Sequence, residues 1–491
     1  MEQKSVQNKI SFNRVMSKLP NINDLQHMDL HSVFGLVKSL LSDSKTTTGH
    51  EQVEEIVRHI ISIRYKQKES RKSVDSIDES LQNSTSSILK GLQTLEFAVQ
   101  QNIHGDAMVR YKGIPISRTE TLEELFSFKC SIVENKYSVT SISWHKVNSD
   151  ILAVGYTCND LKEESPRGMI LIWTMRNPSY PEKIFQTDDG VCSLAFSNDR
   201  VSILAVGCDS GCIYLYDITL SEYLVIDNSS APGRHMSSVT HLQWISDTER
   251  GASEILISIG IDGKVIQWSI KKGLHPQPLI TLKRHNAESK YHRLPDVAMG
   301  LSLDFLRGND FLTYICGAED GTIFRCSRSY AEQYLHHTMA HNGPVTQIVA
   351  SPHEDELFIS SGADSTIKLW VAPTKQNSMK LILSVSPTNL LAPINDVVWS
   401  PVSPTVFCFV TGDGRFEVWD LLFSISAPLH TKSSMSPIMK GNEFTKVSFT
   451  ANGRTIIIGC DNGTVLTYSL PTNCSECKND IHLVDIIKSW Q

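Results

Sequence analysis

A histidine, a serine and an aspartate lie close together in this chain, at His341, Ser361 and Asp364, and Trp370 follows them. A nucleophilic serine needs a histidine base, an acid to orient that base, and exposure at a strained turn beside an oxyanion hole. Ser361 sits instead inside the apolar run LFISSG, which reads as the middle of a strand. The set is therefore expected to form a buried polar relay whose members satisfy one another. Cys474 and Cys477 form a C-x-x-C pair, but tetrahedral zinc takes four ligands, and no second pair or histidine pair accompanies them. Their polar neighbours Glu476, Asn479 and Asp480 suit an exposed loop. Of His336, His337 and His341, the last belongs to the relay and the other two to the surface. The sequence contains no GxxxxGK[ST] loop, HExxH helix or GxSxG elbow, and no GxGxxG follows a strand. No catalytic, cofactor-binding or metal-ligating residue is assigned, no cofactor is expected, and the chain is expected not to be an enzyme.

The elements around these residues come from a repeat. Seven copies of one pattern begin at Val139, Val191, Val239, Ala298, Val345, Ile394 and Phe444. Each has an alternating strand, a second apolar strand ending in glycine, a tight turn such as Asp-Gly or Asp-Asn-Gly, and a third strand ending in an aromatic residue. ILISIG-IDG-KVIQW and VFCFVTG-DG-RFEVW are clear copies. Val, Ile, Leu, Phe and Tyr favour strands, and Asp-Gly supplies the positive φ of a hairpin turn. A lone sheet of this kind cannot bury both faces, whereas sheets stacked radially about an axis bury one another. The pattern is that of WD40 repeats, slightly lengthened by loop insertions, and predicts a mainly β, seven-bladed WD40 β-propeller over residues 121–491. Two copies are irregular. Residues 156–167 interrupt the first, and in the fourth Cys326 replaces the closing aromatic residue. The ring needs an outer strand for its last blade. Either 124–132 or 481–487 could supply it, and the N-terminal segment is favoured because it would clasp the ring.

Residues 1–120 are read as an α-helical N-terminal arm with a polar linker. Apolar stripes at helical spacing run over 24–41, 51–68 and 86–103, the last with Ile88, Leu92, Leu95 and Val99. These stripes either pack on each other or dock a partner helix. The basic cluster Arg64, Lys66, Lys68, Arg71 and Lys72 has Glu51, Glu54, Glu55 and Glu69 nearby and reads as a solvated face. The net charge of −7 and pI near 6.2 argue against general nucleic-acid binding. No run of roughly 18 apolar residues could span a bilayer, so no membrane partner is expected. The scattered, odd-numbered cysteines fit a reducing, intracellular setting.

Several phrases go beyond the generic repeat: LEFAVQQNIHGDAMVRYKGIPI (95–116), the segment around Asn177, Pro178, Pro181 and Glu182, and the stretch from Cys326 to Leu335. On these residues the chain resembles the dynein intermediate chains, most of all the axonemal inner-arm type of two-headed dynein, over about residues 95–470. The resemblance implies a non-catalytic scaffold for ciliary or flagellar motility in the axoneme. Its partners would be a dynein heavy chain, a second intermediate chain and light chains. ATP hydrolysis would belong to the heavy chain. No K-x-T-Q-T-like light-chain motif is found. The candidate contact loops are the insertions 156–167 and 281–297. The alternative is a generic WD40 adaptor, such as a ubiquitin-ligase receptor or chromatin reader, which would use an aromatic cage or basic ring at the central opening.

Overall fold

The computed structural model describes Glu96, Val99 and residues 122–471, apart from loop segments of which 159–165, 285–295 and 434–442 are the longest. The chain divides into two compact units, residues 1–103 and 104–491. In the first, Glu96 and Val99 are helical. The helix candidates 24–41 and 51–68 and the polar linker lie outside the described residues, as does the rest of 86–103.

The second unit is built from seven four-stranded antiparallel sheets. Their inner strands begin at Tyr137, Val191, Val239, Gly300, Val345, Ile394 and Phe444, within two residues of the repeat starts read from the sequence. These sheets are the seven blades of a propeller and are numbered here in chain order.

Strand residues alternate between the two faces of a sheet, and in each blade both faces are covered. In blade 1, Ala153, Ile170 and Ile172 pack with Leu204 and Val206 of blade 2. Their neighbours Leu152, Val154, Leu171 and Trp173 pack with Ile457 and Val465 of blade 7. This is why the second strands read as unbroken apolar runs rather than as alternation. In the tight turn of blade 4, Gly321 has φ +83°, and a Cβ there would collide with the His341 carbonyl. Cys326 is fully buried and pairs in register with Tyr314, whose ring lies 5.3 Å from that of Phe305. The neighbouring strand thus supplies the bulk that the missing aromatic residue would have given.

The ring closes through the N-terminal side, as expected. Glu123–Phe128 pairs antiparallel with Val465–Ser469, placing Phe128 opposite Val465 and Glu124 opposite Tyr468. Phe128 is completely buried, its ring 5.1 Å from Trp173 and 5.4 Å from Phe126. The turn that follows is tied to blade 7 by the Asn135 amide, which donates to the Asn462 carbonyl at 2.8 Å. The rival closing segment, 481–487, lies outside the described residues.

Closure by one buried aromatic strand makes a direct prediction. Phe128→Ala should cost about 3–5 kcal/mol of unfolding free energy, the usual loss for a buried phenylalanine. Urea denaturation of the variant and parent would read this. A shift below about 1 kcal/mol would mean that the clasp does not hold the ring.

Candidate interaction surface

The polar relay exists, with one correction. His341 Nε2 lies 2.8 Å from the hydroxyl of Ser360, not Ser361, and Trp370 Nε1 donates to the same oxygen at 3.0 Å. His341 Nδ1 is 3.0 Å from Asp364 Oδ1. Strand alternation explains the difference. Phe358 is in register with Trp370 and stacks on it, so Ser360, two residues on, shares that face. Ser361 points to the other face and bonds Thr346 Oγ1 at 2.9 Å. A second relay has the same form in blade 3. His235 Nε2 lies 2.7 Å from Ser258 Oγ, Trp268 Nε1 donates to that oxygen at 2.7 Å, and His235 Nδ1 is 2.8 Å from Asp262 Oδ1. The sequence carried its signal, because Ser258, Gly260, Asp262 and Trp268 repeat the spacing of Ser360, Gly362, Asp364 and Trp370.

Both serines are fully buried and each hydroxyl is engaged twice. Neither has the exposure a nucleophile needs. Burial pushes the Asp364 carboxyl up, but hydrogen bonds from the Asn342 amide, Thr366 and His341 outweigh it and hold it below the usual range. Asp262 follows the same balance, with His235 as the main counterweight. Burial lowers His341, opposed by Asp364. The two networks are structural.

Along the axis runs a cavity of about 570 Å³ lined by the inner strands. Ser141, Ser193, His241, Gln347, Asp396 and Lys446 face it from six different blades. Burial raises the Asp396 carboxyl, with Lys446 opposing. Burial, reinforced by the charge of Lys446, lowers His241 to about 4. The lining mixes charged and polar groups of both signs with aliphatic and aromatic side chains, among them Phe196, Trp244, Phe305 and Phe311. Among the described residues no group of three His, Cys, Asp or Glu side chains is placed to hold a metal ion. The nine described cysteines are free thiols; Cys474 and Cys477 lie outside the described residues.

Both candidate contact loops spring from one face. Each blade's inner strand starts at this entry face, so its second-to-third-strand turn and the link to the next blade also lie there. The first insertion extends a hairpin in which Thr157 pairs with Gly168 and the Cys158 amide donates to the Arg167 carbonyl at 2.8 Å. The second leaves blade 3 on a short ribbon, Lys283 opposite Val297, with the Arg284 amide donating to Asp296 at 2.8 Å. Arg284 also pairs with Glu319 of blade 4. Residues 159–165 and 285–295 themselves lie outside the described residues. Near the second stem the entry face exposes Met236 (78%) and Met299 (40%), which sequence reasoning missed. Isolated methionines beside turn residues gave no periodic signal.

Two of the three phrases that set this chain apart, those around Asn177 and from Cys326 to Leu335, fall on the opposite, exit face, at third-to-fourth-strand turns. Asn177 is buried, and its carboxamide oxygen accepts from the amides of Ser179 and Tyr180 at 3.1 and 3.2 Å. Arg325 is also buried and donates to the carbonyls of Pro373, Gln376 and Ser378, locking the corresponding turn of blade 5. His336 and His337 lie half-buried on the outer strand of blade 4 rather than on an open surface. The exit face also shows Leu422, Phe423 and Ile425, another group missed at the sequence level. An apolar LLFSI where a polar turn is usual was its signal.

Comparison with known proteins agrees with the geometry. Residues 120–259 match the family model of the dynein axonemal intermediate chain 3 WD40 domain, and residues 332–371 match the WD domain, G-beta repeat. The chain is 35% identical to dynein axonemal intermediate chain 4 of Mus musculus over 379 residues, covering 73% of this chain and 45% of that protein. It is 29% identical to the 78 kDa flagellar outer-arm intermediate chain of Chlamydomonas reinhardtii, covering 79% and 57%. With the ciliary dynein intermediate chain 2 of Heliocidaris crassispina the identity is 27%, covering 82% and 57%. The chain thus spans about half the length of the relatives it matches.

Two outcomes follow from the site. Ser360→Ala leaves a buried indole N–H and an imidazole nitrogen without their partner, so it should cost about 1–3 kcal/mol. Ser361→Ala, whose partner Thr346 is half-buried, should cost clearly less; equal losses in urea titrations would contradict the relay. His241 is neutral when folded. Its stabilising contribution is fully present above pH 6.5 and is lost as the pH falls from 6.5 toward about 4. His241→Gln should therefore flatten the stability–pH profile in that window, and an unchanged slope would show that the histidine is solvated.

Proposed function

The chain belongs to the family of axonemal dynein intermediate chains, and from that premise we propose that it is a non-catalytic dynein subunit of the ciliary or flagellar axoneme. Its propeller grips a dynein heavy chain. The helical arm, residues 1–120, meets a second intermediate chain or light chains. The observation that carries this reading is a closed seven-bladed ring, clasped by Glu123–Phe128, whose first blades lie within the residues 120–259 matched by the family model. Such a ring is stiff and offers many loops on a fixed frame, which suits an adaptor that passes force.

The entry face is the proposed grip. Both insertions emerge from it, and Met236 and Met299 add soft apolar surface that adapts to a partner.

Affinity purification from ciliated cells should recover an axonemal dynein heavy chain. Replacing 159–165 and 285–295 with short Gly-Ser links should reduce that recovery at least tenfold while the propeller stays folded. Full recovery after trimming would overturn the entry-face grip. Confinement of the tagged protein to nuclei would overturn the axonemal role itself.

A further inference from the structure

Leu422, Phe423 and Ile425 form an exposed apolar knuckle on the exit face of blade 6, at 45%, 76% and 37% exposure. The loop that bears them is built rather than loose. The Asp420 carboxylate is held by Thr405 Oγ1 at 2.6 Å and accepts the Leu422 amide at 3.0 Å. The Phe423 and Ser424 amides both donate to the Asp420 carbonyl at 3.0 Å, and the Ser424 hydroxyl accepts from Ser426 and Ala427. An aromatic ring held outward on so fixed a frame costs little ordering entropy when it is covered.

The described chain ends beside this knuckle. The third strands of blades 6 and 7, Arg415–Asp420 and Val465–Ser469, run in the same sense, so each finishes at the exit face. Leu470 and Tyr468 of blade 7 pack with Val406 and Val418 of blade 6. The loops of the two blades also touch on this face, since a Cβ at Gly453 would meet Val402. Beyond Pro471 come a polar stretch, TNCSECKND, and then IHLVDIIKSW (481–490), rich in large apolar residues. That second stretch was a candidate for the closing strand, but Glu123–Phe128 holds that position. Its apolar side chains are thus not claimed by the closing position. The nine residues 472–480 reach about 30 Å when extended, well beyond the roughly 10 Å between packed sheets.

We propose that residues 481–490 of this chain dock on the Leu422–Phe423–Ile425 knuckle of blade 6, so that the polypeptide covers its own exit face beside the seam between its last two blades. The contact is apolar, with Ile, Leu, Val and Trp side chains of the segment closing over Phe423. It is independent of the entry-face grip and needs no other subunit.

Hydrogen exchange of the full chain alone, read by mass spectrometry, tests this. In the parent protein, amides of 481–490 should exchange at least tenfold slower than unstructured chain. Phe423→Asp should abolish that protection while peptides of the inner strands keep theirs, and Val147→Asp, at another exposed position of the same face, should leave it intact. Reciprocally, Ile486→Asp should raise hydroxyl-radical labelling of Phe423. Unprotected amides in the parent overturn the proposal, as does protection indifferent to Phe423→Asp. Protection that grows with protein concentration would mean that a second copy covers the knuckle, and that also overturns it.

Discussion

No blade of this propeller can satisfy itself, and that constraint governs the rest of the structure. Each sheet has two apolar faces, and each inner strand turns one edge toward the axis with backbone groups that no fifth strand pairs. Side chains from the preceding blade supply the missing partners. The Thr140 hydroxyl donates to the Val191 carbonyl at 2.5 Å, Ser193 to Val239 at 3.0 Å, and Thr240 to Gly300 at 2.9 Å. The Asp304 carboxylate accepts the Ala350 amide at 2.7 Å and Asp396 accepts that of Val447 at 3.0 Å. Every one of these bonds runs from a blade to its successor. A buried carboxylate is tolerated here because backbone amides, rather than water, meet its charge. Loss of any one blade would strand both the apolar face and the polar edge of its neighbour.

The relays of blades 3 and 5 extend this logic from the core to the surface. Each joins a buried tryptophan, through serine and histidine, to an aspartate in a tight turn. The second oxygen of that aspartate then accepts a backbone amide at the entry face, Met236 in one case at 3.3 Å and Asn342 in the other at 3.0 Å. Met236, among the most exposed apolar residues of that face, is thereby linked through four hydrogen bonds to the fully buried Trp268. A contact surface carried on such anchors keeps its shape when pulled, whereas a surface of free loops would yield before it passed force on.

Much of this was legible in the sequence because repetition multiplies weak signals. One Gly-x-Asp turn before a strand is common; four of them, at Gly207, Gly260, Gly362 and Gly459, within seven copies of one strand pattern point to a ring, and the starts fell within two residues. What escaped were features set by three-dimensional neighbours. Ser360 and Ser361 are equally plausible by composition, and only the pairing of Phe358 with Trp370 decides which one faces the histidine. His235 stands farther from its serine than His341 does from its own, so its relay was hidden although the Ser-Gly-Asp-Trp spacing was identical. The closing strand, by contrast, was already favoured from the sequence as a clasp, and the buried Phe128 shows what secures it. The exposed groups on either face carried no periodicity, since nothing in the core dictates them.

The two faces consequently bear different kinds of information. On the exit face, the residues at the distinguishing phrases are occupied internally: Asn177 caps its own turn, and Arg325, which immediately precedes the Cys326–Leu335 stretch, holds the turn of the next blade by three carbonyls. A guanidinium so engaged has little left to offer a partner. The entry face shows the reverse pattern, with insertions placed where the ring does not need them and stems tied down by hydrogen bonds and by the Arg284–Glu319 pair. The stems of the two insertions are therefore fixed by the ring, and the residues that fill the exit-face turns are fixed by it as well, so both faces are held by the same blade-to-blade contacts.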